Sequence, residues 1–156
     1  MIGILAIAAA SATQCPAENG HYVLRHVPDV SAHFREVDSG PDWPSGLALA
    51  VRSKKSGLVT WWLPWNGGTN NLQNLASTTD VSAPGWRPPN PDGGPRPLGN
   101  RQFLALDADY NIMPSVPRLG RPAPAHFLIP ESGSSGDRVF PEKQFFDLVS
   151  CSADAG

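Results

Sequence analysis

The side chains that could carry acid–base or metal chemistry are scattered along this sequence, outside any complete catalytic or metal-binding motif. The four histidines lack the H-E-x-x-H and paired Cys/His spacings of zinc sites; they are His21, His26, His33 and His126. On one strand, His21 and His26 would point to opposite faces, which does not favour a shared metal ion. We therefore expect neither a metal nor a cofactor, unless folding assembles a site.

The segment Asp107-Ala108-Asp109-Tyr110-Asn111 begins like a calcium-binding loop. An EF-hand loop also needs Gly at its sixth position and Glu at its twelfth, where this chain has Ile112 and Arg118. Asp and Asn are equally typical of a hairpin turn. As an acid–base pair, Asp107 and Asp109 lie only one pleat repeat apart, which does not suit glycoside hydrolysis. A turn is the favoured interpretation.

Nucleophilic catalysis finds little support in the serine and cysteine residues. The segment Gly133-Ser134-Ser135-Gly136 lacks the G-x-S-x-G spacing and its strand-then-helix setting, so it predicts a polar loop. Cys15 and Cys151 are better explained as a disulfide that ties both ends of the domain. The chain-entropy model gives such a long loop about 4–5 kcal/mol of stabilisation. This bond also predicts that the first and last strands are neighbours.

The chain is organised around the stretch Leu47 to Trp65, which reads LALAVRSKKSGLVTWWLPW. Two apolar runs flank a polar segment that ends in Gly57, the pattern of a β-hairpin. Pairing Arg52 with Leu58 gives a register that separates a large apolar face from a face rich in alanine. Regular pairing should stop at Pro64, which has no N–H to donate, unless the strand lies at an edge.

This register sorts the tryptophans of the hairpin between its two faces. Trp61 faces Leu49 on the buried side, whereas Trp62 points to the opposite side. An exposed Trp62 would form an aromatic shelf for a sugar ring or for the apolar anchor of a protein partner. Neighbouring aromatic and arginine side chains would support and rim it. The residues of this predicted binding surface are Trp62, Trp65, Trp86, Arg87 and Arg96.

Composition and charge narrow the class of protein. The 156 residues carry a net charge of −2, which gives no electrostatic case for a nucleic-acid partner. Charged side chains make up 17 % of the chain, below the roughly 25 % of an average domain. The length suits a single domain. Proline and glycine are densest in segment 82–100, and a long loop within a compact domain is often functional.

The first twelve residues differ from the rest of the chain. The run from Ile2 to Ala10 is apolar and uncharged, and Ala10-Ser11-Ala12 resembles a signal-peptidase site. The run is far shorter than the roughly 20 residues of a membrane-spanning helix. It departs from an ordinary signal peptide in one respect, since no Lys or Arg precedes the apolar run. We predict a signal peptide over 1–12, a single exported domain over 13–156 and no transmembrane segment in the mature chain. A buried N-terminal element is the alternative.

The remaining pattern predicts an all-β, mainly antiparallel, loop-rich domain with a sandwich- or barrel-like sheet. Short apolar or alternating runs between turn clusters predict seven or eight strands. Segment 29–38 fits a strand better than a helix, and segment 145–151 fits either one equally well. An α+β fold with one short helix is therefore the alternative.

These features favour an exported, non-catalytic binding module of the cell envelope or secreted space. Its partner would be a protein or a glycan, and an inhibitor or immunity-type protein is one version. The alternative is a small secreted hydrolase with a carboxylate/His site, which a cleft bringing His26 or His126 within hydrogen-bond reach of a carboxylate would favour. A structural part of the envelope is a third possibility, favoured by a long uncovered strand edge.

Overall fold

A computed structural model describes residues 15–68, 72–130 and 143–153. These residues form one nine-stranded antiparallel sheet and no helix longer than a single 3₁₀ turn, Ala17–Asn19. The strands are β1 (Gly20–Leu24), β2 (Val27–Glu36), β3 (Leu47–Ser53), β4 (Val59–Gly67), β5 (Leu72–Thr78), β6 (Asn100–Gln102), β7 (Leu104–Leu106), β8 (His126–Leu128) and β9 (Phe146–Cys151).

The all-β, antiparallel prediction is confirmed. Both ambiguous segments are strands, since 29–38 falls largely in β2 and 145–151 largely in β9. The predicted signal peptide over 1–12 and the predicted polar loop at 133–136 lie outside the described residues. The described part of the chain contains no helix with the length and apolar character needed to cross a membrane.

The sheet is nearly closed on itself, in the order β6-β5-β4-β3-β2-β1-β9-β8-β7. Its two edge strands, β6 and β7, are consecutive in the chain and separated only by Phe103. The Phe103 N–H donates to the Gln73 carbonyl at 3.1 Å, and the buried Gln73 side chain accepts from the Ala105 N–H at 3.1 Å. Gln73 thus joins the two edges, and closure leaves little free strand edge.

Aromatic and aliphatic side chains fill the inside of this sheet. Phe127 lies at the centre, with ring centroids 4.8 Å from Tyr22, 4.6 Å from Phe146 and 5.2 Å from Phe103. The buried Tyr22 hydroxyl donates to the Pro124 carbonyl at 2.8 Å, and burial raises the pKa of Tyr22. The interior is therefore a packed core, as expected of a small barrel-like sheet.

The predicted register of the central hairpin is wrong by one residue. Arg52 pairs with Val59 rather than with Leu58, so Leu49 faces Trp62. Trp62 is therefore 0 % exposed in the core, where its Nε1–H donates to the Thr60 hydroxyl at 2.9 Å. Because strand side chains alternate, the one-residue shift exchanges the faces of the adjacent tryptophans.

The turn of this hairpin explains the shift. Its loop contains four residues, 54–57, and the Ser53 N–H donates to the Leu58 carbonyl at 3.0 Å. Gly57 adopts a φ of 72°, which glycine tolerates best. The backbone N–H of Lys55 donates to the Asp29 carboxylate at 2.9 Å, so a contact from β2 helps to fix the loop.

Trp61 lies on the outer face of the sheet and is half-buried, which corrects its predicted place in the main core. It packs with a second apolar cluster beneath the Pro-rich segment 82–100. The buried members of this outer cluster are Trp43, Ala48, Leu63 and Ala76, and its partly buried members are Val37, Trp61, Trp65, Val81 and Trp86. Small alanines on β3 and β5 leave room for the large indole rings.

The predicted disulfide between Cys15 and Cys151 is confirmed. Gly20 at the start of β1 pairs with Cys151 at the end of β9, so the first and last strands are neighbours as predicted. The bond closes the chain across a sequence separation of 136 residues, which restricts the unfolded state strongly in the chain-entropy view.

Candidate functional site

A cleft of about 550 Å³ opens at the end of the sheet where β4 terminates. Pairing between β3 and β4 ends at Leu49 and Trp62, whereas β4 continues to pair with β5 through Gly67. Pro64, which has no N–H, lies on the part of β4 that no longer pairs with β3. The two strands diverge there. The cleft is lined by Asp42, Trp43, Pro44, Ser45, Pro64, Trp65, Asn66, Pro91, Asp92, Arg96, Asn100, Ser115, Val116 and Arg118.

The first wall of the cleft is the turn over residues 40–46. Together with the preceding Ser39, this turn has the sequence S-G-P-D-W-P-S-G. Gly40 and Gly46 both adopt a φ of 69°, and the buried Ser39 hydroxyl donates to the Trp43 carbonyl at 2.8 Å. A Cβ at Gly46 would also lie 3.3 Å from the Leu119 Cβ. Glycine therefore allows the turn to bend and to pack closely against Leu119.

The second wall is the Pro-rich segment, and Arg96 holds it together. The guanidinium of Arg96 donates to the carbonyls of Asn90, Pro91, Gly94 and Pro95 at 3.1–3.4 Å. Four acceptors from one segment fix the curvature of the loop around a single cation. Arg96 therefore acts first as a clamp for this wall.

The same arginine also joins the second wall to the first. Its guanidinium carbon lies 5.2 Å from the centroid of the Trp43 ring, a cation–π contact. In return, the Trp43 Nε1–H donates to the Pro89 carbonyl at 2.9 Å. Both ends of the Trp43 side chain are thus used within the protein, and Trp43 is almost fully buried.

The third wall, residues 114–119, is tied both to the first wall and to β4. The Ser45 hydroxyl donates to the Pro117 carbonyl at 2.7 Å, and the Leu119 N–H donates to the Ser45 carbonyl at 2.9 Å. The Val116 N–H donates to Asn66 Oδ1 at 2.9 Å. These bonds hold the walls in place before any ligand arrives, which lowers the ordering cost of binding.

Two hydrogen-bond donors on the β4 side of the cleft have no acceptor among the residues that the structure describes. Trp65 Nε1 and Asn66 Nδ2 are both shielded from solvent and unpaired, and both side chains line the cleft. The Val116 bond fixes the orientation of the Asn66 amide, because a backbone N–H requires the oxygen as its acceptor. An unpaired buried donor costs about 1–3 kcal/mol. The free protein thus leaves two polar groups unsatisfied beside an open volume.

The Trp65 ring is placed by a close approach to the next turn. A Cβ at Gly67 would lie 1.9 Å from the ring atom Cζ3 of Trp65, so only glycine leaves room for the indole at this position. The ring also packs against the outer apolar cluster. Gly67 and the outer cluster thus determine on which side of β4 the Trp65 ring lies.

Charges of both signs surround the cleft. Asp42 and Asp92 contribute carboxylates, and Arg96 and Arg118 contribute guanidinium groups. Asp42, Asp92 and Arg118 are exposed, whereas Arg96 is partly buried in the loop that it clamps. The lining thus offers hydrogen-bond acceptors as well as donors, without an excess of either charge.

The structure separates the predicted binding residues into three groups. Trp65 and Arg96 line the cleft. Trp62 is completely buried, so the predicted exposure of this residue is wrong and it cannot form a surface shelf. Trp86 is half-buried on the outer cluster, where its Nε1–H donates to the Thr78 hydroxyl at 3.2 Å, and Arg87 is exposed on the Pro-rich segment, outside the cleft lining.

Sequence reasoning missed most of the cleft. In the sequence, Asp42, Trp43 and Asn66 lie in turn segments rich in proline and glycine, and none of them is among the predicted binding residues. A tryptophan between two prolines in the turn, P-D-W-P, is the signal that could have indicated an ordered wall. The contribution of Arg118 carries no such local signal.

A second polar cluster is formed by the turn between β1 and β2 together with β8 and β9, and Asp147 lies at its centre. Asp147 Oδ1 lies 2.6 Å from His126 Nδ1 and accepts from Arg25 Nη2 at 2.7 Å; Oδ2 accepts from Arg25 Nε at 2.9 Å. This bidentate geometry is the strong form of the Arg–carboxylate pair. The Arg25 hydrogen bonds, together with the His126 bond, lower the pKa of Asp147, although partial burial opposes them.

Aromatic rings enclose this Asp147 cluster. The Tyr110 ring stacks on the His126 ring with centroids 4.2 Å apart and an interplanar angle of 8°. The Tyr110 hydroxyl contacts Arg25, whose guanidinium carbon lies 4.9 Å from the Phe145 centroid. Tyr110 has a φ of 64°, an uncommon value for a bulky residue. Within the described residues, no group of three or more His, Cys, Asp or Glu side chains could hold a metal ion.

Comparison of the chain with family models, with curated proteins and with solved structures finds no match. The cleft and the Asp147 cluster are therefore the two features of the molecule that indicate a function.

Proposed function

We propose that this protein is an exported, non-catalytic binding module and that the cleft at the end of β4 is its ligand site. The observation that carries the proposal is the pair of unpaired donors, Trp65 Nε1 and Asn66 Nδ2, in side chains that line an open volume. An acceptor group seated on this wall, after a small side-chain movement, would satisfy them. The partner is a glycan or a protein of the cell envelope or secreted space.

The form of the cleft supports this proposal. Its volume of about 550 Å³ falls in the range of about 300–1,000 Å³ that is usual for ligand sites. Its three walls are joined by hydrogen bonds at Ser45, Trp43 and Asn66. Such a rigid cleft suits recognition, because little freedom remains to be lost on binding.

The disulfide supports the exported location. Cys15 and Cys151 are bonded, and the described residues contain no free cysteine. Structural disulfides persist mainly in oxidising compartments such as the periplasm or the extracellular space. The signal peptide expected over 1–12 is consistent with the same location.

The Asp147 cluster favours a second candidate function, the small hydrolase. His126 lies within hydrogen-bond reach of a carboxylate, which is the arrangement of an acid–base dyad. However, Arg25 occupies both oxygens of Asp147, and no residue of the cluster lines the cleft. Binding is therefore the better-supported function, and hydrolysis would require His126→Asn to abolish turnover of a captured ligand.

The test of the binding proposal uses a plugged cleft. The described residues have no free cysteine, so a cysteine at Ser115→Cys can be labelled with a bulky maleimide while the disulfide stays intact. A matched control carries the same label at Ser82→Cys, on the exposed start of the Pro-rich segment. Each protein is used to capture material from an envelope extract of its own cells, followed by mass spectrometry and sugar analysis.

We expect the unlabelled chain and the Ser82 control to capture the same species, and the Ser115-labelled chain to lose at least about 90 % of it, the loss that a tenfold weaker affinity gives at limiting protein. Equal capture by all three proteins would show that the cleft is not the ligand site. An absence of capture by any of them would contradict the binding function itself.

A further inference from the structure

We infer that the ligand of the cleft is a neutral glycan, recognised through its hydroxyl and ring oxygens. This inference rests on the proposed binding function and specifies the chemistry of its ligand. The assignment of a neutral glycan follows from two features of the cleft and one of the fold. These are the positions of the unpaired donors, the balance of charge in the lining, and the closure of the sheet.

The two unpaired donors require a ligand with more than one acceptor. Trp65 and Asn66 are consecutive residues of β4, and consecutive side chains on a strand point to opposite faces. Trp65 accordingly packs with the outer cluster, whereas Asn66 bonds to Val116, a member of the inner core. A single small anion on one face would leave the other donor unpaired. An oligosaccharide presents acceptor oxygens at several positions along its length.

The charges of the lining select a neutral ligand. Asp42 and Asp92 would repel a polyanionic chain, and Arg118 would repel a polycation. After a small side-chain movement exposes them, the Trp65 and Asn66 N–H groups can donate to sugar hydroxyls, which can themselves donate to the carboxylates of Asp42 and Asp92. A polyhydroxylated ligand therefore fits both kinds of group in the lining.

The fold offers little for the common modes of peptide recognition. Addition of a peptide strand needs an exposed sheet edge, but the edge strands β6 and β7 contain three residues each and are joined through Phe103 and Gln73. Recognition of a helix or a proline-rich peptide needs an apolar or aromatic groove. Here Trp43 is almost fully buried and contacted by Arg96, and charged residues lie around the opening. A glycan is thus favoured over a peptide.

The test measures binding of the full oxidised chain to an array of neutral, anionic and cationic oligosaccharides, together with an array of unstructured peptides. Hits are then titrated by calorimetry. Trp65→Phe removes the indole donor and keeps an aromatic ring, and Asn66→Asp keeps the acceptor for Val116 and removes the amide donor. The matched control is Trp86→Phe, because this tryptophan lies outside the cleft lining and its donor is already paired.

We expect neutral oligosaccharides to bind, with an affinity about two- to tenfold weaker for Trp65→Phe and Asn66→Asp, the loss that one hydrogen bond accounts for. Trp86→Phe should bind like the unmodified chain. Equal weakening by Trp65→Phe and Trp86→Phe would contradict recognition through the Trp65 donor.

Binding of peptides or of anionic oligosaccharides alone would overturn the glycan assignment and leave the binding function standing. The glycan assignment would also be overturned if no oligosaccharide or peptide on the arrays bound while the labelling experiment still showed capture that depends on the cleft. If that capture is also absent, the binding function itself fails, so the two failures are distinguishable.

Discussion

The cleft and the Asp147 cluster are both polar, partly shielded regions, yet they treat their polar groups in opposite ways. In the cluster, the Asp147 carboxylate receives bonds from Arg25 and His126, and aromatic rings enclose these partners. In the cleft, the donors of Trp65 and Asn66 have no acceptor within the described part of the chain. A network whose groups satisfy each other stabilises the fold, whereas unpaired donors beside an open volume indicate a place for a ligand.

The largest expected effect on the free energy of unfolding comes from the core, and it provides a reference for variants in the cleft and in the Asp147 cluster. Trp62→Ala should lower the free energy of unfolding by about 3–5 kcal/mol, because it removes a completely buried ring. Trp61→Ala should cost clearly less, since Trp61 is half-buried on the outer face. Urea unfolding with the disulfide intact measures both. A larger loss for Trp61→Ala would contradict the observed register.

Loss of the central carboxylate should weaken the Asp147 cluster without affecting the cleft. Asp147→Ala leaves Arg25 and His126 without this acceptor. We expect a loss of about 1–2 kcal/mol, well below that of a buried pair, because the Arg25 and Asp147 side chains are about 30 % exposed. Ligand capture should be unchanged. The control Asp109→Ala, at an exposed turn, should change stability by less than about 0.5 kcal/mol. Loss of capture with Asp147→Ala would join the two regions into one site.

The contribution of Asp147 should depend on pH in a defined direction. Because its folded-state pKa is lowered, the stabilisation is present above the ordinary carboxyl pKa of about 3.9 and is lost as the pH falls through the lower folded value. The stability difference between the unmodified chain and Asp147→Asn should therefore shrink below about pH 4. Urea unfolding between neutral and acidic pH measures this. A difference that stays constant would show that the ionised form of Asp147 contributes nothing.

The smallest expected effect gives the sharpest comparison between a paired and an unpaired indole. Trp86→Phe removes the hydrogen bond to Thr78 and should lower stability by about 0.5–1.5 kcal/mol. Trp65→Phe removes a donor that has no partner, so it should cost less than Trp86→Phe despite the same change in ring size. Urea unfolding of both variants checks this order. A reversed order would mean that the Trp65 donor is satisfied in the free protein.

Signals in the sequence predicted several features of the fold. The hairpin around Gly57, the disulfide pairing and the all-β class are confirmed. Other local signals misled. Proline is typical of strand ends, yet Pro28 lies within β2, and the chain turns earlier, at His26 with a φ of 63°. A proline restricts a strand only where its missing N–H would have been needed.

The sequence by itself determined most of the turns, which runs are apolar and which cysteines can pair, because these follow from φ preferences, alternation and redox chemistry. Only the tertiary structure decided which of Trp61 and Trp62 enters the core, since that choice depends on one residue of register and on a contact from Asp29. It also decided the cleft. Three distant segments meet there around the end of β4, and no spacing along the chain records the contacts that hold them together.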